Sequence, residues 1–315
     1  MSNVVVVDNG AGLIKAGQGG ERDPSYILPN CTAKAPSSKK PLLLDQLLHP
    51  SSDLTSASIR RPFDRGHLIN PDLHSSLLHH LFTHLLKITP SHTSLLLTEP
   101  LFTLPQIQRS VDEIVFEEFG FKGLYVSDGP SLVHLYEASR RPYGLVSKAQ
   151  CSLVVDCGFS FSHAAPVYQN CTINYGVKRL DLGGKALTNY LKELVSFRSV
   201  NVMDESFLID HVKEKLCFVS LDLARDLNIA SSNESFRKPG KDNLFRCTYV
   251  LPDGITHTKG FVKDPEEAKR YEILYEHAKP PKKRNKDDAE QLDITEAPED
   301  RKKADLSKNV FSETF

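Results

Sequence analysis

The chain has 315 residues, of which 40% are hydrophobic and 25% are charged, and its formal net charge is -1. This length and composition are those of a globular protein with apolar residues enough for about two domains. A net charge so close to zero excludes a chain-wide electrostatic field that would recruit nucleic acid or an anionic membrane.

Cysteine usage and the first residues indicate the compartment. The cysteines lie far apart and form no Cys-x-x-Cys pair: Cys31, Cys151, Cys157, Cys171, Cys217 and Cys247. This spacing argues against a zinc ribbon and against a disulfide framework, so we expect a reducing compartment. The early valine run is followed by an acid and glycines, unlike a secretion signal, and no apolar run has membrane-spanning length. We therefore expect a protein that is neither secreted nor anchored in a membrane.

The first half of the chain is predicted to alternate strands and helices. Residues 4–7 are four valines that lead into the turn Asp-Asn-Gly-Ala-Gly, and an apolar return strand is predicted from Leu13. Two helical patterns follow at 71–88 and 104–121, the first with a leucine at every fourth position. Between them, residues 94–100 are predicted to form a short buried strand.

The second half repeats this pattern. Residues 152–167 are predicted to form a strand, a turn and a second strand, and 181–197 a glycine turn that opens a helix. The apolar spacing over 204–223 favours another helix. The Asp-Gly pair within 247–261 lies between apolar runs, which predicts a hairpin.

The last part of the chain has a different composition. Residues 263–315 are rich in charge and proline and poor in apolar side chains, which predicts a disordered segment. It contains the basic cluster Lys279, Lys282, Lys283, Arg284 and Lys286. This cluster is either a nuclear import signal or solvated linker.

The sequence offers one repeated candidate site. Asp8 and Asp156 each follow a valine-rich strand and precede a glycine turn. Such glycines let backbone N–H groups approach a phosphate, and the carboxylate can hold a hydrated Mg²⁺. A single Asp-Asn-Gly is more often an ordinary hairpin turn. Two copies, one at the start of each half, predict two similar domains that clamp the phosphates of a nucleotide.

Other catalytic and metal-binding patterns are weak. His80 and His84 are one helical turn apart, but the glutamate and the third ligand of a zinc site are missing. We expect both to be ordinary helix-surface residues. No Gly-x-Ser-x-Gly segment is present, so a serine hydrolase has no support.

Seven segments, taken in chain order, resemble the landmarks of the actin superfamily. They are VVVVDNGAGLIKAG, SLLLTEP, PSLVHLYEAS, LVVDCGFSFSHAAPV, RLDLGGKALTNYL, VKEKLCFVSLD and YVLPDG, and the resemblance covers residues 4–263. It implies an α/β, actin-like ATPase fold: a duplicated, ribonuclease H-like architecture of two domains around a nucleotide cleft, with its C-terminal portion missing. The first domain would span 1–148 with a small subdomain at about 31–64, and the second 149–262 with one at about 183–262, followed by the disordered segment 263–315.

The resemblance also implies a nucleotide site, which would hold ATP or ADP with Mg²⁺ weakly or not at all. The matching cofactor-binding positions are Asp8, Gly10, Ala11, Gly12, Lys15, Asp156, Gly158, Gly183, Gly184, Lys213 and Glu214. Lys213 and Glu214 match the pair that flanks the adenosine in actin, or they are simply the exposed face of an amphipathic helix.

Several matching positions depart from actin. Ala11 replaces a serine that contacts the terminal phosphate. The second loop has Cys157, Phe159 and Ser160 where actin has serine, aspartate and glycine. A phenylalanine cannot bind a metal and is a poor neighbour for a charged, wet cleft. In the segment RLDLGGKALTNYL, Lys185 and Ala186 likewise replace an arginine and an aspartate.

Hydrolysis is expected to be slow or absent. His163 matches a histidine that helps to order the hydrolytic water in actin, but Gly129 or Pro130 stands where actin has the glutamine that positions this water. Neither residue can orient a nucleophile, and the loss of a positioning group costs orders of magnitude in rate. We therefore expect no enzyme, and assign no catalytic or metal-binding residue.

Segments such as RRPFDRGHLIN and IVFEEFGF look most like a nuclear class of actin-related proteins. Its members are subunits of the Swr-type chromatin remodeller, which exchanges a nucleosomal histone for its Z-type variant. The resemblance implies a non-catalytic platform in the nucleus, with the cytoplasm as a second location. Its partners would be the Swr-type motor ATPase, a zinc-finger HIT subunit and, indirectly, the nucleosome, with no membrane and no homopolymer.

Two alternatives stay open. One is an active actin-fold ATPase, which would need both phosphate loops intact. The other is a non-functional truncated fragment. In a truncated chain, apolar faces would be exposed, so marginal stability and aggregation are expected.

Overall fold

The structure is a computed structural model that describes residues 3–36, 38–50, 52, 54–231, 247–252, 257 and 259–263. The chain divides into two compact units, Met1–Lys213 with Pro252–Lys259, and Glu214–Leu251 with Gly260–Phe315. The predicted halves 1–148 and 149–262 stay a prediction. The predicted disorder of 263–315 lies outside the described residues, apart from Lys263.

A five-stranded mixed sheet forms the centre of the first half, in the order β10-β9-β1-β2-β3. Strand β1 pairs with β2 antiparallel and with β9 parallel, and β9 pairs with β10 parallel. The strands of this half are β1 (Asn3–Asn9), β2 (Leu13–Gln18), β3 (Tyr26–Pro29), β4 (Thr32–Lys34), β5 (Leu42–Leu43), β6 (Ser58–Arg60), β7 (Phe63–Asp64), β8 (His67–Leu68), β9 (Thr93–Glu99) and β10 (Gly123–Asp128).

The valine run and its return strand are confirmed as β1 and β2. Val5 and Val7 are fully buried in the main core, where Leu95 and Leu97 of β9 pack beside them. Branched side chains suit this pleated, buried surface. The parallel neighbour β9 brings Thr98 next to the end of β1, because Val7 is opposite Leu97 in the register.

Both helices predicted for the first half are confirmed, and each continues as a π turn. The helices of the chain are α1 (Pro71–His80), α2 (Pro105–Glu113), α3 (Gly129–Arg140), α4 (Leu145–Ala149), α5 (Gly184–Arg198), α6 (Ser206–Leu216) and α7 (Leu223–Ser231). The π turns are Leu81–Leu85 after α1 and Ile114–Glu118 after α2. Helix α1 starts where the Asn70 side chain accepts a bond from the Leu73 amide, with Pro71 at the first helical position.

The second half repeats the strand-turn-strand element around a four-stranded sheet, in which β11, β12 and β13 are successive neighbours and β14 also pairs with β12. The strands are β11 (Cys151–Cys157), β12 (Ser162–Tyr168), β13 (Cys171–Thr172), β14 (Lys178–Leu180), β15 (Tyr249–Val250) and β16 (Phe261–Val262). The antiparallel pair β11 and β12 corresponds to β1 and β2. Asp156 lies opposite His163 as Asp8 lies opposite Lys15.

Two predictions near the end of the described chain have mixed outcomes. The helix predicted over 204–223 is confirmed as α6, but it ends at Leu216, and Val219 is 89% exposed. The predicted hairpin is supported by the antiparallel pairing of β15 with β16. Its Asp-Gly turn, 253–254, lies outside the described residues.

Candidate functional site

The first predicted phosphate loop follows β1, and its aspartate is held by two neighbours. The Asp8 carboxylate accepts one bond from the Lys15 ammonium at 2.9 Å and another from the Thr98 hydroxyl at 2.7 Å. The Thr98 hydroxyl also accepts the Asn9 amide at 3.0 Å. The sheet therefore brings Asp8 and Lys15 together.

A buried polar network shapes the backbone of this loop. The Asn30 amide nitrogen donates to the Gly10 carbonyl at 2.8 Å and to the Asn9 side-chain oxygen at 3.3 Å. The Asn9 amide nitrogen lies 3.0 Å from His74 Nε2. Burial lowers the pKa of His74 to about 4, so this ring is neutral and Nε2 accepts the bond. Gly10 has no room for a side chain, because a Cβ there would lie 2.6 Å from the Leu13 carbonyl oxygen.

The second predicted loop is bonded to the start of helix α5. The Gly184 amide donates to the Gly158 carbonyl at 3.0 Å, and the Lys185 amide donates to the Phe159 carbonyl at 2.9 Å. Gly183 makes this approach feasible, since a Cβ there would lie 2.5 Å from the Phe159 oxygen. The first amides of α5 could have faced an anion. Here the protein's own carbonyls accept them.

The two loops meet through one side chain. A Cβ on Gly12 would lie 2.8 Å from Cβ and from Cγ of Phe159, so the phenylalanine fills the space beside the first loop. The Arg61 guanidinium lies over the same Phe159 ring, with Cζ 4.4 Å from the ring centroid. Arg61 also donates to the carbonyls of Gly12 at 3.0 Å and Ala11 at 3.3 Å.

This arrangement bears on whether a nucleotide with Mg²⁺ fits the predicted site. Asp8 keeps a carboxylate at the first loop, but the space beside Gly12 holds an aromatic ring. The second loop offers no carboxylate at position 159, and its neighbouring helix amides are already bonded. The residues present at the second loop therefore do not supply the metal-binding carboxylate or the free amides that a Mg²⁺-nucleotide would need there. Phe159, which we expected to be a poor neighbour for a wet cleft, is instead packed against glycines and backbone and lies under the Arg61 guanidinium.

The two residues predicted to flank an adenosine, Lys213 and Glu214, have different surroundings. The Lys213 ammonium donates to Asp210 Oδ1 at 2.6 Å, to the Thr188 hydroxyl at 2.6 Å and to the Gly184 carbonyl at 3.2 Å. Lys213 therefore links α6 to the start of α5, near the predicted positions Gly183 and Gly184. Glu214 follows in the chain as an exposed residue at the start of the second unit.

The residues discussed for hydrolysis are also placed. His163 is 3% exposed, and its ring lies 4.6 Å from that of Phe161. Burial, and next the Arg179 charge, lower its pKa. Gly129 starts helix α3, and a Cβ there would meet nothing within 4 Å. Ala11 packs against the main core, and Asp156 is exposed.

The other candidates have ordinary roles. We expected His80 to be an ordinary helix-surface residue, but its side chain is only 12% exposed. Its Nε2 lies 2.7 Å from an Asp45 oxygen. His84 is exposed and stacks near it, with the ring centroids 5.0 Å apart. Among the described residues, no group of three or more metal-ligating side chains forms a site. No helix in the part of the chain that the structure describes has the length and apolarity to cross a membrane.

Residues 56–66, which we term the strap, cover a cavity of about 310 Å³. It is lined from the strap side by Ile59, Arg61, Phe63 and Asp64, and from the opposite side by Phe159 and by residues of α5 and α6 that include Lys185, Phe207 and Asp210. Sequence reasoning missed Arg61 and Asp210. The only signal for Arg61 was its place in RRPFDRGHLIN, and nothing in that segment shows that it reaches the first loop.

Comparisons with known proteins agree with this geometry. A protein-family model described as Actin matches residues 1–301. The chain is 57% identical over 322 residues to "Actin-related protein 6" of Arabidopsis thaliana, covering 100% of the chain and 70% of that relative. It is 56% identical to "Actin-related protein 6" of Oryza sativa subsp. japonica, covering 98% of the chain and 69% of the relative. "Actin-related protein 6" of Drosophila melanogaster is 33% identical over 83% of the chain and 64% of its own length.

The family match spans nearly the whole chain, and the duplicated hairpins, the five-stranded mixed sheet and the two aspartate turns are features of the same α/β architecture. The chain therefore belongs to the actin family, in its actin-related protein 6 branch.

Proposed function

We propose that the chain is a non-catalytic structural subunit of a nuclear, Swr-type chromatin-remodelling complex, which exchanges a nucleosomal histone for its Z-type variant. Its surfaces would hold the motor ATPase and a zinc-finger HIT subunit, and through them the nucleosome. The observation that carries the non-catalytic part is the Phe159 side chain, which lies against Gly12 of the first predicted phosphate loop.

Three further features support the absence of turnover. No carboxylate stands at position 159 to help hold a metal ion. Gly129 offers no side chain that could orient water. The His163 ring is buried beside Phe161, away from solvent.

The apolar surface supports the platform role. Strand β11 exposes 65% of Leu153 and 63% of Val155, and the edge strand β10 exposes 63% of Tyr125. Large exposed apolar residues are typical of surfaces that other polypeptides cover. The 57% identity to "Actin-related protein 6" over the whole chain supports assigning these surfaces to the assembly expected for this class.

The first experiment separates a platform from the alternative, an actin-fold ATPase. Phosphate release is measured with the purified full chain and with Asp8→Asn, which keeps the shape of the residue and removes its charge. We expect equal, background release from both proteins. Turnover by the wild type that Asp8→Asn abolishes would establish the ATPase instead.

The second experiment tests the partners. The tagged full chain is recovered from nuclei, and co-purifying proteins are quantified by mass spectrometry. We expect the motor ATPase and the HIT subunit with the wild type, and a loss of both with the pair Leu153→Lys and Val155→Lys. Leu48→Lys is the matched control, because Leu48 is 52% exposed but belongs to neither β10 nor β11. Recovery of neither subunit with the wild type would favour the non-functional fragment.

A further inference from the structure

The strap is joined to the second half of the chain at several points. The Ser56 backbone amide and hydroxyl both donate to Glu205 Oε1, at 2.9 and 3.1 Å. The Lys185 ammonium donates to Asp64 at 3.4 Å. Phe161 packs directly on Gly66, because a Cβ on that glycine would lie 2.2 Å from the ring.

The polar contacts of Ser56 and Lys185 are too exposed to hold the strap by themselves. The Lys185 and Asp64 side chains are 54% and 48% exposed, and ion pairs in water contribute little to stability. Ser56 is exposed as well. Besides the packing of Phe161 on Gly66, the strap makes a further contact that lies deeper in the cleft.

Arg61 makes that deeper contact, and it touches three parts of the cleft at once. It belongs to the strap, its Nη1 donates to the Ala11 and Gly12 carbonyls of the first loop, and its guanidinium lies over the Phe159 ring of the second loop. A guanidinium that lies over a ring and donates to carbonyls has partners for its charge while it is partly buried. A bound nucleotide would join the same walls through its phosphates.

The backbone of Phe159 is held in place by hydrogen bonds to helix α5, which fixes the position of the ring under Arg61. Its carbonyl accepts the Lys185 amide, and the preceding carbonyl accepts the Gly184 amide, which pins the second loop to α5. Below the strap, a small core holds the fully buried Cys31 together with Ala33, Leu47 and the strap residue Ala57, with Phe207 packed against it. Closure of the strap and burial of Cys31 therefore go together.

We propose that Arg61 and Phe159 form an internal clamp that takes the place of a nucleotide and keeps the strap closed over the cleft. The closed state is then a fixed property of the chain and does not respond to ATP or ADP with Mg²⁺. This inference goes beyond the proposed function, because it holds in whichever assembly the chain joins.

Hydrogen exchange of the full chain, read by mass spectrometry, tests the clamp. In the wild type we expect exchange of peptides covering 56–66 to be the same with and without saturating Mg²⁺-ATP. Arg61→Ala should speed this exchange roughly ten-fold, because one stacked cation and its carbonyl bonds are lost. The matched control is Arg60→Ala: it removes the same charge one residue earlier, from an exposed side chain.

Two further measurements keep the test decisive. Phe159→Leu retains apolar volume but not the ring face, so it should also loosen the strap, and the double variant with Arg61→Ala should be no looser than either single one. If Arg61→Ala does not fold, as judged by circular dichroism, Arg61→Lys replaces it. Maleimide labelling of Cys31 gives an independent readout, with faster labelling expected in each loosened variant.

Two results would overturn the clamp. One is a wild-type strap that becomes protected when Mg²⁺-ATP is added, since the nucleotide would then be what closes it. The other is strap exchange and Cys31 labelling that stay at wild-type rates in folded variants of both Arg61 and Phe159.

Discussion

Lys213 and Asp210 are bonded at 2.6 Å on one face of helix α6, and the same ammonium reaches the Thr188 hydroxyl of α5 at 2.6 Å. Their side chains are only 19% and 29% exposed. The lysine that the sequence places beside an adenosine is thus engaged in joining two helices.

Replacing this lysine should therefore affect stability. We expect Lys213→Ala to lower the free energy of unfolding by about 1–3 kcal/mol, since bonds to charged groups in partly buried places are worth about that much. Urea denaturation of the full chain measures it. Lys215→Ala is the control, because Lys215 is exposed on the same helix. An unchanged stability, with a loss of ATP binding instead, would return Lys213 to the adenosine role.

Stability should fall as the pH falls below neutrality, and His74 should contribute to this. Burial lowers its pKa from 6.5 to about 4 in the folded chain. Below pH 6.5 the unfolded chain binds a proton that the folded chain does not, so stability from this group is fully present above 6.5 and declines toward pH 4. The expected slope is about 1.4 kcal/mol per pH unit from one such group.

Denaturation of the wild type at several pH values between 7.5 and 5 measures this slope. His74→Gln should flatten it, although His163, whose pKa is also lowered, leaves part of it. His92→Gln, at an exposed histidine, serves as the control and should retain the wild-type slope. Equal slopes in all three proteins would contradict a neutral, buried His74.

Gly12 and Gly129 should differ in how well they tolerate a larger side chain. Gly12→Ala would place a Cβ 2.8 Å from Phe159, and overpacking of this kind costs about 1–3 kcal/mol. Gly129→Gln meets open space at its Cβ, so its effect should be less than about 1 kcal/mol. Urea denaturation compares the two variants. A tolerated Gly12→Ala would mean that Phe159 leaves the first loop readily.

Strand β11 should be a site of self-association in the isolated chain. In the described part of the chain it pairs only with β12, and Leu153 and Val155 are mostly exposed. Open apolar edges pair with other chains, and lysine prevents this. The pair Leu153→Lys and Val155→Lys should reduce light scattering at high concentration. The melting temperature of this variant should stay near that of the wild type. Undiminished scattering would mean that the chain associates through another surface.

Much of the local structure could be predicted from the sequence. The valine run at 4–7, the leucines of α1 and the glycine turn before α5 follow periodicity and turn chemistry, which depend on neighbours in the chain. The π turns at Leu81–Leu85 and Ile114–Glu118 could not be predicted, because a one-residue change of hydrogen-bond step leaves the apolar pattern nearly unchanged. The spacing of Val219 also fits the apolar pattern of α6, but the helix ends at Leu216, and apolar spacing alone does not show where a helix ends.

By itself, the sequence determined the family, the duplicated aspartate turns and the replacement of a metal-binding carboxylate by Phe159. Only the tertiary structure decided what that phenylalanine does. Phe159 contacts Gly12, which is 147 positions earlier in the chain, and it lies under Arg61, which is 98 positions earlier. No periodicity or local motif encodes a contact between such distant segments, because it depends on how the sheets and the strap are brought together in space.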